Sequence, residues 1–87
     1  MNEWRLLIAI EVLEFLRTRP RREQNDLLAR FHVIAEFPSN YSDFVERDAV
    51  GRRVDVHVFR KFAIKYWADS ADRHIKILDL HLADRSR

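Results

Sequence analysis

From residue 53 onward, hydrophobic and polar positions alternate with the two-residue period of half-buried strands. In residues 53–59, Val54, Val56 and Val58 share one face, and Arg53, Asp55 and His57 the other. Residues 62–69 repeat the pattern, with Phe62, Ile64 and Tyr66 on one face and Lys61, Ala63, Lys65 and Trp67 opposite. In residues 73–82, Leu78, Leu80 and Leu82 are in step against Asp79 and His81, whereas Ile75 and Ile77 are out of phase. One extra residue flips the facing of everything after it, so the break predicts a bulge near Ile77 and Leu78. Short links at Arg60-Lys61 and at residues 70–72 predict antiparallel neighbours. Laid side by side, these strands would set Arg53, His57, Lys61, Lys65 and His81 on one surface, with Phe62, Tyr66 and the valines together on the core side.

The front half follows a helical period. Residues 3–9 form an apolar run that fits either a first strand or the opening of a helix. Val12, Leu13, Phe15 and Leu16 then take helical spacing over residues 10–18, and Pro20 forces a break at Arg19 because the residue before proline avoids the α region. Pro20 suits the first turn of a second helix, with Glu23 and Asp26 near the positive end of its dipole. That helix should run to about Phe37, carrying an apolar stripe of Leu27, Leu28, Phe31, Ile34 and Ala35 and an Asp26–Arg30 pair at i, i+4. Pro38, Ser39 and Asn40 signal a loop, residues 41–47 a short strand, and residues 48–51 a turn in which the single glycine, Gly51, can adopt positive φ.

At 87 residues the chain is long enough for one modest core, so residues 1–87 read as a single domain without repeats or linkers. With no cysteine, disulfides and thiolate metal sites drop out and a reducing cytoplasm is the expected setting. The apolar run from Leu6 to Ile10 is far short of the roughly 18 residues that span a bilayer, and no signal peptide is recognisable, so no membrane partner is expected. Net charge is only +2, but the bases are clustered: Arg52, Arg53, Arg60, Lys61 and Lys65 face a single acid, Asp55, between residues 51 and 65. A local positive surface on a nearly balanced molecule results.

Arginine and lysine on such a surface can hold phosphates and stabilise transition-state charge. His57 and His81 titrate in the range needed for general acid–base work, and Trp67, beside the lysines, can stack on a base. The simpler reading of the same residues is a solvated sheet face with core aromatics. The histidines lack metal-ligand spacing, one glycine cannot build a phosphate loop, and no serine nucleophile pattern is present, so neither metal nor cofactor is expected.

The helix VLEFLRTRP, the helix RREQNDLLARFHVIAEFP and the block GRRVDVHVFRKFAIKYWADSADRHIKILDLHLADR, in that order after a short strand, resemble the RelE/ParE superfamily of type II toxin–antitoxin toxins over nearly the whole chain. The resemblance implies an α+β fold in which an N-terminal strand and a helical hairpin pack on a curved antiparallel sheet of about four strands. It also implies a cognate antitoxin as partner, together with either the ribosome and mRNA (RelE-like cleavage) or DNA gyrase (ParE-like inhibition). A degenerate member that only binds antitoxin is a third form. RelE-like nucleases commonly carry an arginine in the strand matching KFAIKYW, where Ala63 stands here, and a tyrosine near the C-terminus, which LADRSR lacks. In a ribonuclease of this type, Arg53, Lys61 and Lys65 would hold phosphate charge and His81 or His57 would move the proton. Arg52, Arg60, Trp67 and Arg85 would extend the contact with RNA.

Overall fold

A computed structural model of the chain describes residues 4–83. Its elements run β1 (Arg5–Ile8), α1 (Ile10–Arg17), α2 (Arg21–Glu36), a 3₁₀ turn (Pro38–Asn40), β2 (Phe44–Arg47), β3 (Arg53–Phe59), β4 (Phe62–Asp69) and β5 (His74–Leu82). The ambiguous first run is a strand. The chain breaks between the helices where proline requires it: the N–H groups of Thr18 and Arg19 close the last turn of α1 on the carbonyls of Phe15 and Leu16, and Pro20 caps α2 with φ −56°. Leu27, Phe31, Ile34 and Ala35 form the buried stripe of α2, as their spacing predicts. Gly51 takes a φ of 86°, the left-handed conformation expected of it.

The strand order is β1-β5-β4-β3-β2, with β1 parallel to β5 and every other pair antiparallel. The sheet therefore has five strands and is mixed, not a four-stranded antiparallel meander. The physical reason is the helical hairpin, which carries the chain across the sheet after β1, so that β1 meets the last strand rather than the next one. The bulge falls where the phase break places it: Lys65 pairs with Asp79 but Tyr66 with Ile77, leaving Leu78 as the extra residue.

The hairpin between β3 and β4 reverses one expectation. Its two-residue link, Arg60-Lys61, pairs Phe59 with Phe62, His57 with Ile64 and Asp55 with Tyr66. Directly paired residues point to the same side of a sheet, so odd-numbered residues of β3 share a face with even-numbered residues of β4. Phe62, Ile64 and Tyr66 pack beneath the helices in one core with Val12, Leu16, Leu27, Phe31, Ile34, Ile75, Ile77 and Leu80. Asp55, His57 and Phe59 thus lie on the helix side, and Val54, Val56 and Val58 on the face away from the helices. Tyr66 is fully buried and its hydroxyl donates to the Pro38 carbonyl at 2.7 Å. Burial, with the Asp55 and Asp43 carboxylates adding to it, pushes that hydroxyl's pKa up, so it stays a donor.

Ion pairs fasten the hairpin turn to α2. Arg60 reaches Asp26 at 2.6 Å, and Lys61 reaches Glu23 at 3.0 Å. Asp26 is therefore not paired with Arg30, whose guanidinium lies instead over the rings of Phe59 and Tyr41, at 4.4 and 5.4 Å. Among the described residues no helix is long and apolar enough to cross a membrane.

Candidate functional site

The face away from the helices collects groups from four strands. One row across the sheet is Phe44, Val56, Lys65 and Asp79, and the next is Val58, Ala63 and His81. Lys65 Nζ sits 2.9 Å from Glu46 Oε1. Arg52 and Lys65 line a cavity of about 230 Å³ with Glu46, Val54 and Leu78. His81 Nδ1 lies 2.8 Å from Asp79 Oδ2. A carboxylate can only accept, so Nδ1 carries the proton and Nε2 presents its lone pair, the arrangement that orients a histidine for proton transfer. Both side chains are open to solvent, and Phe44 and Val58 are exposed apolar groups on the same face.

The remaining candidates are elsewhere. His57 is only 9% exposed and lies on the helix side, its Nδ1 3.0 Å from Asp43 Oδ2, its ring edge-on to Tyr41 and stacked on Phe59. Its Nε2 is buried without a hydrogen-bond partner. A substrate cannot reach it there, so a direct role in proton transfer does not fit. Lys61 and Arg60 are engaged with α2 as described, and Arg53 Nη2 bonds Asp55 Oδ1 at 3.2 Å on the helix side. The expected cluster of Arg53, His57, Lys61, Lys65 and His81 is thus divided between the two faces, because the short hairpin inverts the facing of β3 relative to β4. Only Lys65 and His81 of that set share the outer face. Arg52 joins them while held by Asp48 at 2.8 Å, with Trp67 under its guanidinium at 4.3 Å. Trp67 neighbours Arg52 and Lys76 rather than Lys61 and Lys65. Arg85 lies outside the described residues.

Sequence reasoning sets Asp79 on the face of His81 but gives it no role, and it misses Glu46 and Phe44 as members of this face. The signal for Asp79 is present: an acid two residues before a histidine on a strand must share its face. Glu46 and Phe44 follow from the same period once residues 44–47 are extended. Among the described residues, Asp69, Asp72 and His74 place ligand atoms within 4.8 Å of one another, but Asp69 is bridged to Lys76 at 3.3 Å, where an ammonium already supplies the positive charge.

The two carboxylates that flank β2, Asp43 and Asp48, are both held ionised. Asp43 has its pKa held below 3.8, first by the N–H of Val58 at 2.7 Å and, against opposing burial, by His57. Asp48 is lowered first by the N–H of Arg52, then by that of Val50 and by the Arg52 guanidinium. A carboxylate whose folded pKa is depressed adds stability above its unfolded value and loses it as pH falls through the folded one. The urea midpoint should therefore drop between about pH 5 and about pH 3, and drop less in Asp43→Asn. Equal losses in the two proteins would contradict a stabilising role for the Asp43 carboxylate.

No family model and no curated protein matches the sequence. A chain of the archaeal RelE–RelB complex from Pyrococcus horikoshii OT3 does match in structure, with a TM-score of 0.78 over 99% of this chain and 100% of that one. The fold is RelE-like. At 19% identity the likeness concerns the arrangement of the elements and not their side chains. Within the RelE-like fold, Ala63 pairs with His81 on the outer face, so no guanidinium projects there from the position at which the family resemblance calls for arginine.

Proposed function

We propose that the chain is the toxin of a type II toxin–antitoxin pair, cleaving mRNA at the ribosome and held inactive by a cognate antitoxin. The observation that carries the proposal is the His81–Asp79 pair on the same face as Lys65 and Arg52, in a RelE-like fold. In this reading His81 Nε2 removes the proton from a ribose 2′-OH, and the 2′ oxygen attacks the adjacent phosphorus. The bond to the 5′ oxygen breaks, a 2′,3′-cyclic phosphate remains, and the leaving oxygen takes a proton from solvent. Lys65 and Arg52 offset the charge that builds on the phosphoryl oxygens, exchanging their Glu46 and Asp48 partners for the phosphate. Inducing the gene alone should arrest growth and create new 5′-hydroxyl mRNA ends, and co-expression of the antitoxin should restore growth. Arrest without new ends would refute the ribonuclease.

A second reading has a specific observation behind it. Lys65 is neutralised by Glu46, Ala63 supplies no cation, and Phe44 and Val58 stand exposed on the same face, which suits contact with a protein. On that reading the toxin is non-catalytic and ParE-like, and purified protein should inhibit supercoiling by DNA gyrase. Unaffected supercoiling at saturating protein would eliminate it.

A further inference from the structure

β2 forms one edge of the sheet, bonded to β3 alone, and all four of its residues are exposed. At its end Asp48 N donates inward to the Arg52 carbonyl at 3.0 Å. In an antiparallel ladder every second residue bonds inward in this way, so Phe44 and Glu46 do the same, while Val45 and Arg47 turn their N–H and C=O groups out from the edge. Sheet edges that stay single are commonly protected by proline or lysine, and residues 43–48 contain neither. Apolar side chains stand open there instead. Phe44 and Val45 are 49% and 44% exposed, one on each side of the strand, with Val58 open on the same face as Phe44.

The order of side chains along this edge complements itself. Residues opposite one another in a sheet project to the same side, so a second copy of β2 can add in antiparallel sense only with even positions against even and odd against odd. A two-fold axis at Glu46 would set the two Glu46 carboxylates against each other, and an axis at Phe44 would set Val45 against Asp43. With the axis at Val45, Val45 meets Val45, Phe44 meets Glu46, and Arg47 meets Asp43, so only this register brings opposite charges face to face. Both groups suit the contact. His57 Nδ1 and the Val58 N–H both bond to Asp43 Oδ2, which leaves Oδ1 for a guanidinium. Arg47 holds only the Gly51 carbonyl, at 3.2 Å, has no ion pair among the described residues, and stands opposite a like charge, Arg53. A second carboxylate beside it offsets that repulsion.

We infer that two copies of the chain join through β2, antiparallel about a two-fold axis at Val45, into one continuous sheet. The axis runs perpendicular to the sheet, so both helical hairpins lie on one side and both faces that carry Lys65 and His81 on the other. Because the paired segment is short, the dimer should be weak, with a Kd on the order of 10–100 µM. The inference does not depend on the outer face being a nuclease site, and loss of either leaves the other standing.

Sedimentation equilibrium of the full chain, from about 10 µM to about 1 mM, should show the mass rising from one chain towards two. Over the same range the outward amides of Val45 and Arg47 should exchange more slowly with solvent. Val45→Pro removes the N–H on the axis and no bond to β3, so it should abolish the dimer with an unchanged circular dichroism spectrum. Arg47→Glu, which sets an acid against Asp43, should weaken association by about tenfold or more. A single-chain mass at about 1 mM would overturn the inference. So would a dimer that persists unweakened in Arg47→Glu or in folded Val45→Pro. Slowed exchange at Leu6 and Ile8, the outward amides of the β1 edge, in place of Val45 and Arg47 would overturn it as well.

Discussion

Phe31→Ala should destabilise the protein by about 3–5 kcal/mol, the usual cost of emptying a buried phenylalanine site. Phe31 is fully buried in the middle of the α2 stripe, in the same core as Ile64, Tyr66, Ile75 and Ile77, where no neighbouring backbone can collapse into the space without moving the helix off the sheet. A domain of this size holds roughly 5–15 kcal/mol in total, so the variant should approach marginal stability. Its urea midpoint should fall by more than about 1 M. Val58→Ala is the informative companion. Val58 is 41% exposed on the outer face, and its truncation should cost no more than about 0.5–1 kcal/mol. If Val58→Ala proved as damaging as Phe31→Ala, Val58 would have to pack beneath the helices and not on the outer face, where Val54 and Val56 are buried but Val58 is open.

His81→Ala should lower mRNA cleavage by about 100- to 10,000-fold, the range associated with removing a general base. The side chain is exposed and, among the described residues, its hydrogen bond is to Asp79, so stability should change by less than about 0.5 kcal/mol. Those two readouts together separate a chemical role from a structural one. Full toxicity in His81→Ala would exclude proton transfer by this residue and favour the protein-binding reading of the face.

The extent of each element was legible in the sequence because local period and local breakers set it. Residues 53–59 and 62–69 alternate cleanly, and Pro20 and Gly51 impose backbone conformations that do not depend on distant contacts. Even the bulge was legible, since a change of phase between Ile77 and Leu80 within one strand requires an extra residue at that point. Which face of β3 meets the helices was also encoded, but in the link and not in the strand. A two-residue connection forces paired positions to have opposite parity, and that rule outweighs the apolar look of Val54, Val56 and Val58.

Tertiary choices were less accessible. Asp26 has a local partner in Arg30 but takes Arg60, 34 positions away, because the hairpin turn brings that guanidinium to α2 and the Tyr41 and Phe59 rings hold Arg30. An i, i+4 pair is worth only a few tenths of a kcal/mol, too little to resist such competition. The candidate site failed in sequence for the same reason that β3 did. Charge alone groups residues on one surface without their register, and alternation puts Asp79 beside His81 without showing that the two side chains bond.

The parallel pairing of β1 with β5 has a consequence for the order of events during synthesis. Arg5 is aligned with His74 and Ile8 with Ile77, so β1 has no strand neighbour until β5, which follows every other element of the sheet, has been translated. The helical hairpin can form while the chain is still growing, but the sheet cannot be completed on that schedule. A nascent chain that stops short of β5 therefore leaves the edge of β1 without the strand that hydrogen-bonds it, and the sheet closes only once β5 is available.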